Sequence, residues 1–170
     1  MKWIGALLFI AMTTWLGFDQ SERLNRRPKH IRQLINALQI LEAEMLYSQL
    51  PLKDAFLFIA RQIPRPTKDF FLSLANEMEK GNRDLLSFWD QEVNNFAKRS
   101  AIRSNEQDIL CQFGRTLGQH DFTQQQKHIH LTSTYLDREL EEARDQQQKY
   151  GKMAKSLGFL IGIFIVILLI

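Results

Sequence analysis

The chain has 170 residues, a single cysteine (Cys111) and a formal charge of +3, which leaves room for one domain and excludes an intrachain disulfide or a cysteine-rich metal site. The charge is unevenly placed. Residues 1–32 hold six Lys/Arg against Asp19 and Glu22, residues 144–170 hold four against Asp145, and residues 33–143 hold twelve against sixteen Asp/Glu. The basicity belongs to the flanks, and the acidic middle lacks the basic face that nucleic-acid binding requires.

The first element is the uncharged stretch Trp3–Phe18. It is slightly shorter than the ~20 residues that cross a hydrocarbon core. A cleaved signal peptide and a buried core helix are its rivals. Only Lys2 charges its amino-terminal side, and Trp15, Leu16 and Phe18 stand where a cleavage site needs small residues. Residues 1–20 are therefore expected to be an uncleaved transmembrane anchor, with Trp3 and Trp15 at its interfaces. Arg23, Arg26, Arg27, Lys29 and Arg32 follow it directly.

Residues 21–150 read as helices throughout. Ile31, Leu34, Ile35, Leu38, Leu41 and Met45 recur at helical steps and form the first stripe. Pro51 fits a first helical position, opening a second helix with Leu52, Ala55, Phe56, Ile59 and Ile63 inward. Ile63-Pro64-Arg65-Pro66 breaks the chain. A third helix buries Phe70, Phe71, Leu74, Ala75 and Met78 and ends near Gly81. Asn82 is the expected N-cap of a fourth, with Leu85, Trp89, Val93 and Phe96 inward. Ser104 with Gln107 matches a capping box and opens a fifth helix, bearing Ile109, Leu110, Phe113 and Leu117 and closed by Gly118. From Asp121 to Tyr150 there is neither Pro nor Gly, so one long helix is expected there. Its stripe is thin (Phe122, Ile129, Leu136, Leu140, Ala143), and it can merge through Gly151 with whatever follows. No segment alternates like a strand. The fold class is all-α: a small antiparallel bundle of about six helices between two transmembrane segments.

The closing stretch Leu157–Ile170 is more apolar than the first, and the 18 residues from Met153 are interrupted only by Lys155 and Ser156. Lys155 can snorkel to an interface. Residues 151–170 are thus expected to be a second anchor. Arg144, Lys149, Lys152 and Lys155 flank it on the bundle side. Basic flanks prefer the cytoplasmic face of a bilayer, so the bundle should be cytoplasmic and tied to one membrane at both ends. Gly158 and Gly162 have the spacing of a helix-packing motif within it.

A search for catalytic chemistry in the sequence finds none that holds together. His128 and His130 are two apart and point to different faces of a helix, while His120 lies in the turn before it. Glu42 and Glu44 are likewise two apart and make no acid/base pair. Gly114–Gly118 and Gly151-Lys152 lack the spacing and the preceding strand of a phosphate loop. Cys111 borders an apolar stripe and reads as a half-buried thiol rather than a nucleophile. No catalytic, cofactor-binding or metal-ligating residue is assigned, and no cofactor or small-molecule substrate is expected. Two features could serve binding. One is the charged run Asp137–Asp145, most simply a solvated helix face. The other is the group Phe56, Phe58, Phe70 and Phe71 around the proline turn, where any exposed ring would mark a partner site.

The runs Ala11–Phe18, Arg23–Pro28, Leu41–Tyr47, Pro51-Leu52 with Ala55, Leu117-Gly118 with Asp121, Tyr150–Met153 and Leu157-Gly158 resemble the stage III sporulation protein AB family of endospore-forming bacteria. The resemblance covers essentially the whole length. Leu50 departs from it, standing where the family has a threonine or similar cap. The resemblance implies a component of the channel complex joining mother cell and forespore, located in the mother-cell membrane that faces the forespore. It also implies likeness of the soluble part to the cytoplasmic domain of the platform proteins of type II secretion systems and type IV pili. Such a subunit would couple a cytoplasmic secretion-type ATPase to the other subunits of the complex. Pro51-Leu52-Ala55 and Leu117-Gly118-x-x-Asp121 resemble the platform domain's structural signatures. A membrane-tethered regulatory adaptor for a soluble partner is the alternative.

Overall fold

In the computed structural model the backbone is described for residues 25–48, 50–81, 85–117 and 122–169, with side chains for all of these except 46, 122 and 151–169. Six helices form the described chain, and no strand occurs among the described residues. Helix α1 is described from residue 25 to 43 and continues as a π-helical turn, Glu44–Ser48. The others are α2 (Leu52–Gln62), α3 (Thr67–Lys80), α4 (Leu85–Arg99), α5 (Ser104–Thr116) and α6 (Phe122–Leu169).

The chain divides into two compact units. The larger comprises Lys29–Glu141 and holds most of the core. Within it α1 is buried nearly all round, leaving Lys29, Arg32, Asn36, Gln39 and Ala43 as its exposed stripe. Ile31, Leu34, Ala37, Leu38 and Leu41 are each 2% exposed or less. A central helix needs partners for its polar side chains as well. The backbone N–H of Ala101 donates to Nδ1 of His30 at 2.9 Å, and Oγ1 of Thr67 donates to Oε1 of Gln33 at 2.9 Å.

Helices α2 and α3 form an antiparallel hairpin. Lys53 near the start of α2 pairs with Glu79 near the end of α3 at 3.4 Å, and the chain turns between them at Ile63–Pro66, where the Arg65–Pro66 peptide is cis. Helices α4 and α5 are antiparallel too: Asn94 bonds Gln107, and Trp89 bonds the carbonyl of Leu110. The cores of the two hairpins meet in an aromatic cluster. Phe70 lies 5.1 Å from Phe71, 5.5 Å from Trp89 and 5.2 Å from Phe96, and Trp89 lies 5.8 Å from Phe113. Tilted and edge-on geometry of this kind adds about 1 kcal/mol per pair beyond the area buried.

The last helix is the long one expected: α6 runs unbroken for 48 residues, through Gly151 to Leu169. In the smaller unit, formed by the described residues of Met1–Pro28 and Glu142–Ile170, the start of α1 lies beside α6. Arg27 donates to Oε1 of Gln146 at 3.3 Å, and Gln147 donates to Oδ1 of Asn25 at 2.6 Å. The glutamine tract 146–148 thus begins with two residues that bind a neighbouring helix, which its polar composition did not announce.

Several boundaries differ from the sequence reading. The fifth helix takes Arg103, not Ser104, as N-cap: Glu106, not Gln107, turns back to accept the Arg103 N–H at 2.8 Å. Glutamate at the third helical position does this more strongly than glutamine because its acceptor is charged. The same helix ends at Thr116 with an extended Leu117, one turn's edge before Gly118. Pro51 is the residue before α2, its carbonyl accepting from Asp54 and Ala55, rather than the first helical residue. Gly81 does end α3, in the left-handed conformation at φ 65° that glycine adopts without cost. Asn82, Gly118, His120 and Asp121 lie outside the described residues. So do residues 1–20 and the side chains of 151–170, the two expected anchors. Among the described residues no helix is long and apolar enough to cross a membrane.

Candidate docking surface

The four phenylalanines around the proline turn separate cleanly. Phe56, Phe70 and Phe71 are at most 3% exposed and belong to the core, whereas Phe58 is 38% exposed. Phe58 lies two positions from Phe56 and one from Ile59, so on a helix it must face away from both buried rings. Leu72 of α3 is exposed to the same degree, at 37%. The ion pair Lys53–Glu79 fixes how they relate. Phe58 lies about 7 Å along α2 from Lys53 and Leu72 about 10 Å along α3 from Glu79, at 1.5 Å per residue. The two apolar side chains are therefore at nearly one height on the outward side of the hairpin, with half-buried Leu57 between the rows.

On α6 the charged run is a solvated face, as expected of its composition. Asp137, Arg138, Glu141, Glu142, Arg144 and Asp145 are exposed, while Leu140 and Ala143 are buried. Glu139, half-buried, accepts from Asn105 of α5 at 3.4 Å. One turn earlier Leu131 and Tyr135 are both 43% exposed. Four residues apart, they are neighbours on one helix face. The sequence reading missed this pair because Leu131 and Tyr135 lie off the buried stripe and look like isolated apolar residues.

The remaining candidates are accounted for by packing. Cys111 is half-buried, and its thiol is pushed up from 9.0 to about 11, first by burial and then by the charge and hydrogen bond of Asp90. At neutral pH it is a poor nucleophile. His130 is exposed and His128 half-buried, the backbone carbonyl of His128 accepting from Thr132 at 2.8 Å. Glu42 accepts from Gln126 of α6 at 3.1 Å, and Glu44 lies in the π-helical turn. Among the described residues no group of three His, Cys, Asp or Glu side chains could hold a metal ion. Gly114 has a structural role of its own: a Cβ there would overlap Cγ, Cδ1 and Nε1 of Trp89. The indole lies directly against the backbone of α5, where it donates to the Leu110 carbonyl at 2.8 Å.

Comparison with known proteins decides the family. The family described as stage III sporulation protein AB matches the chain over residues 2–170. The chain belongs to the stage III sporulation protein AB family. A relative bearing that name in Bacillus subtilis (strain 168) is 39% identical over 169 residues, covering 99% of both chains. A solved structure of a stage III sporulation protein AB is similar with a TM-score of 0.68 and 37% identity, over 73% of this chain and 98% of the other. At that identity the likeness carries more than the fold. The family motifs fall where the helices turn: Pro51 before α2, Ala55 buried in its first turn and Leu117 at the end of α5.

Proposed function

We propose that the chain is a membrane-anchored, non-enzymatic subunit of the channel complex between mother cell and forespore, a platform-type component that couples a cytoplasmic secretion-type ATPase to the other subunits. The observation that carries this is the full-length family match, which includes both apolar ends as well as the bundle. The relative's name places it in sporulation, and the likeness of the family's soluble part to platform domains supplies the motor as partner. Residues 1–20 and 151–170 are the anchors, and the bundle faces the mother-cell cytoplasm. Support for the second anchor comes from α6, whose helix continues without a break from the bundle into the apolar end. A turn of that helix cannot end in the bundle and leave the tail free to float.

The reading needs surfaces for protein partners, and exposed apolar pairs on α2–α3 and on α6 are of that kind. Extraction of the full chain in detergent from sporulating cells should bring the complex's ATPase with it. Recovery of soluble regulatory proteins without any ATPase would favour the adaptor reading instead. Protease added to oriented vesicles should cut the bundle from the cytoplasmic side; a protected bundle would overturn the orientation.

A further inference from the structure

Six large apolar side chains are exposed among the described residues, and four of them fall into two pairs: Phe58 with Leu72, and Leu131 with Tyr135. Single exposed apolar residues are ordinary, but adjacent ones form a patch whose desolvation can drive association. The two pairs carry opposite charge. Residues 61–69, at the tip of the α2–α3 hairpin, hold Arg61, Arg65 and Lys68 against Asp69 alone, in a region whose balance is otherwise acidic. Arg65 pairs with Asp69 at 3.2 Å, while Arg61 and Lys68 are exposed. Residues 137–141, the turn of α6 that follows Tyr135, hold Asp137, Glu139 and Glu141 against Arg138. Asp137 and Glu141 are exposed and four apart, on the side of α6 next to the Leu131–Tyr135 row.

We propose that copies of this chain associate head to tail, the apolar and basic α2–α3 hairpin of one copy receiving the apolar and acidic α6 stripe of the next. Each patch supplies what the other lacks: an apolar pair to be covered, and charges of the opposite sign at its rim to set register and reject a like patch. Two different patches on one chain make a heterologous contact, which closes into a ring or runs on as a filament. The anchored reading of the ends selects the ring, and the inference rests on it in that respect only. Copies held in one bilayer with the same side facing the cytoplasm are related by rotation about the membrane normal, so successive contacts turn within the plane. The apolar pairs supply the attraction and the charges the specificity, so the contact should be reversible and salt-sensitive.

The test is the mass distribution of the full chain in nanodiscs and in detergent, read by mass photometry across a concentration series. Wild-type chain should form oligomers. Arg61→Glu with Lys68→Glu should weaken association about tenfold or more, and Asp137→Lys with Glu141→Lys should do the same. The four changes together exchange the charges between the faces and should restore association. All four side chains are exposed, so folding is retained, which circular dichroism checks. A wild-type chain that stays monomeric at every concentration overturns the inference, as does association indifferent to both charge reversals. Failure of the combined variant to recover also overturns it and assigns the two patches to separate protein partners. Binding of the ATPase is followed in the same samples: its absence from a chain that still oligomerises counts against motor coupling alone.

Discussion

The indole of Trp89 occupies the space that a side chain at position 114 would need, so two residues in different helices are fixed by one contact. Gly114→Ala should cost about 2–3 kcal/mol in chemical denaturation, the range for an overpacked core. In a Trp89→Phe background the same change should cost less, because the smaller ring withdraws from the α5 backbone. Equal costs in both backgrounds would separate the two residues. Cys111 offers a second measurement. Its thiol titrates near 11 rather than 9.0, so maleimide labelling of the folded chain should be slow at pH 7 and rise about tenfold per pH unit up to that point. The raised value also means that the fold favours the neutral thiol. Its contribution to stability is complete below pH 9 and is lost as the pH rises toward 11. Little of this is visible in the sequence. A glycine inside a helix announces a close approach, but the partner is 25 positions away and the pairing exists only once the two hairpins meet.

Helix boundaries and faces show how far periodicity reaches. Stripes at three- and four-residue steps located all six helices and nearly every fully buried side chain on them. Phe58 was separable from Phe56 by helix phase alone. Caps were less legible. Serine is a favoured N-cap, and Ser104 with Gln107 satisfies the pattern; the structure uses the backbone of Arg103 and the side chain of Glu106 one position earlier. Glu106 is completely buried, a position a charged side chain holds only with good partners. Glu106→Ala should therefore destabilise the chain by about 1–2 kcal/mol, with Glu106→Gln in between. A loss no larger than that of Gln107→Ala would return the cap to Ser104. Helix α1 departs furthest from its pattern. A one-sided stripe was expected, yet His30, Gln33 and Ala37 are buried as well. Polar residues read as solvent-facing, and here they bond to Ala101 and Thr67 from neighbouring elements. Single-chain patterning holds no sign of those partners.

For the molecule as a whole, the charge division set the frame. The basic flanks adjoin the two apolar ends and the acidic residues lie between them. Family membership over residues 2–170 takes in both ends with the bundle, and α6 joins the last bundle helix to the final apolar stretch in one helix. The function follows from this arrangement and from the surfaces offered, with no reacting site required. The candidate surfaces were only half legible beforehand: Phe58 stood out among aromatic residues, whereas Leu72, Leu131 and Tyr135 acquire meaning through their exposure next to one another. The central claim is that a bundle held at a membrane recruits a motor, and vesicle flotation measures both halves at once. Lipid vesicles carrying the full chain should float with the complex's secretion-type ATPase bound, and empty vesicles should leave that ATPase at the bottom of the gradient. A chain that floats without retaining the ATPase, or one that fails to float with the lipid, would contradict the account.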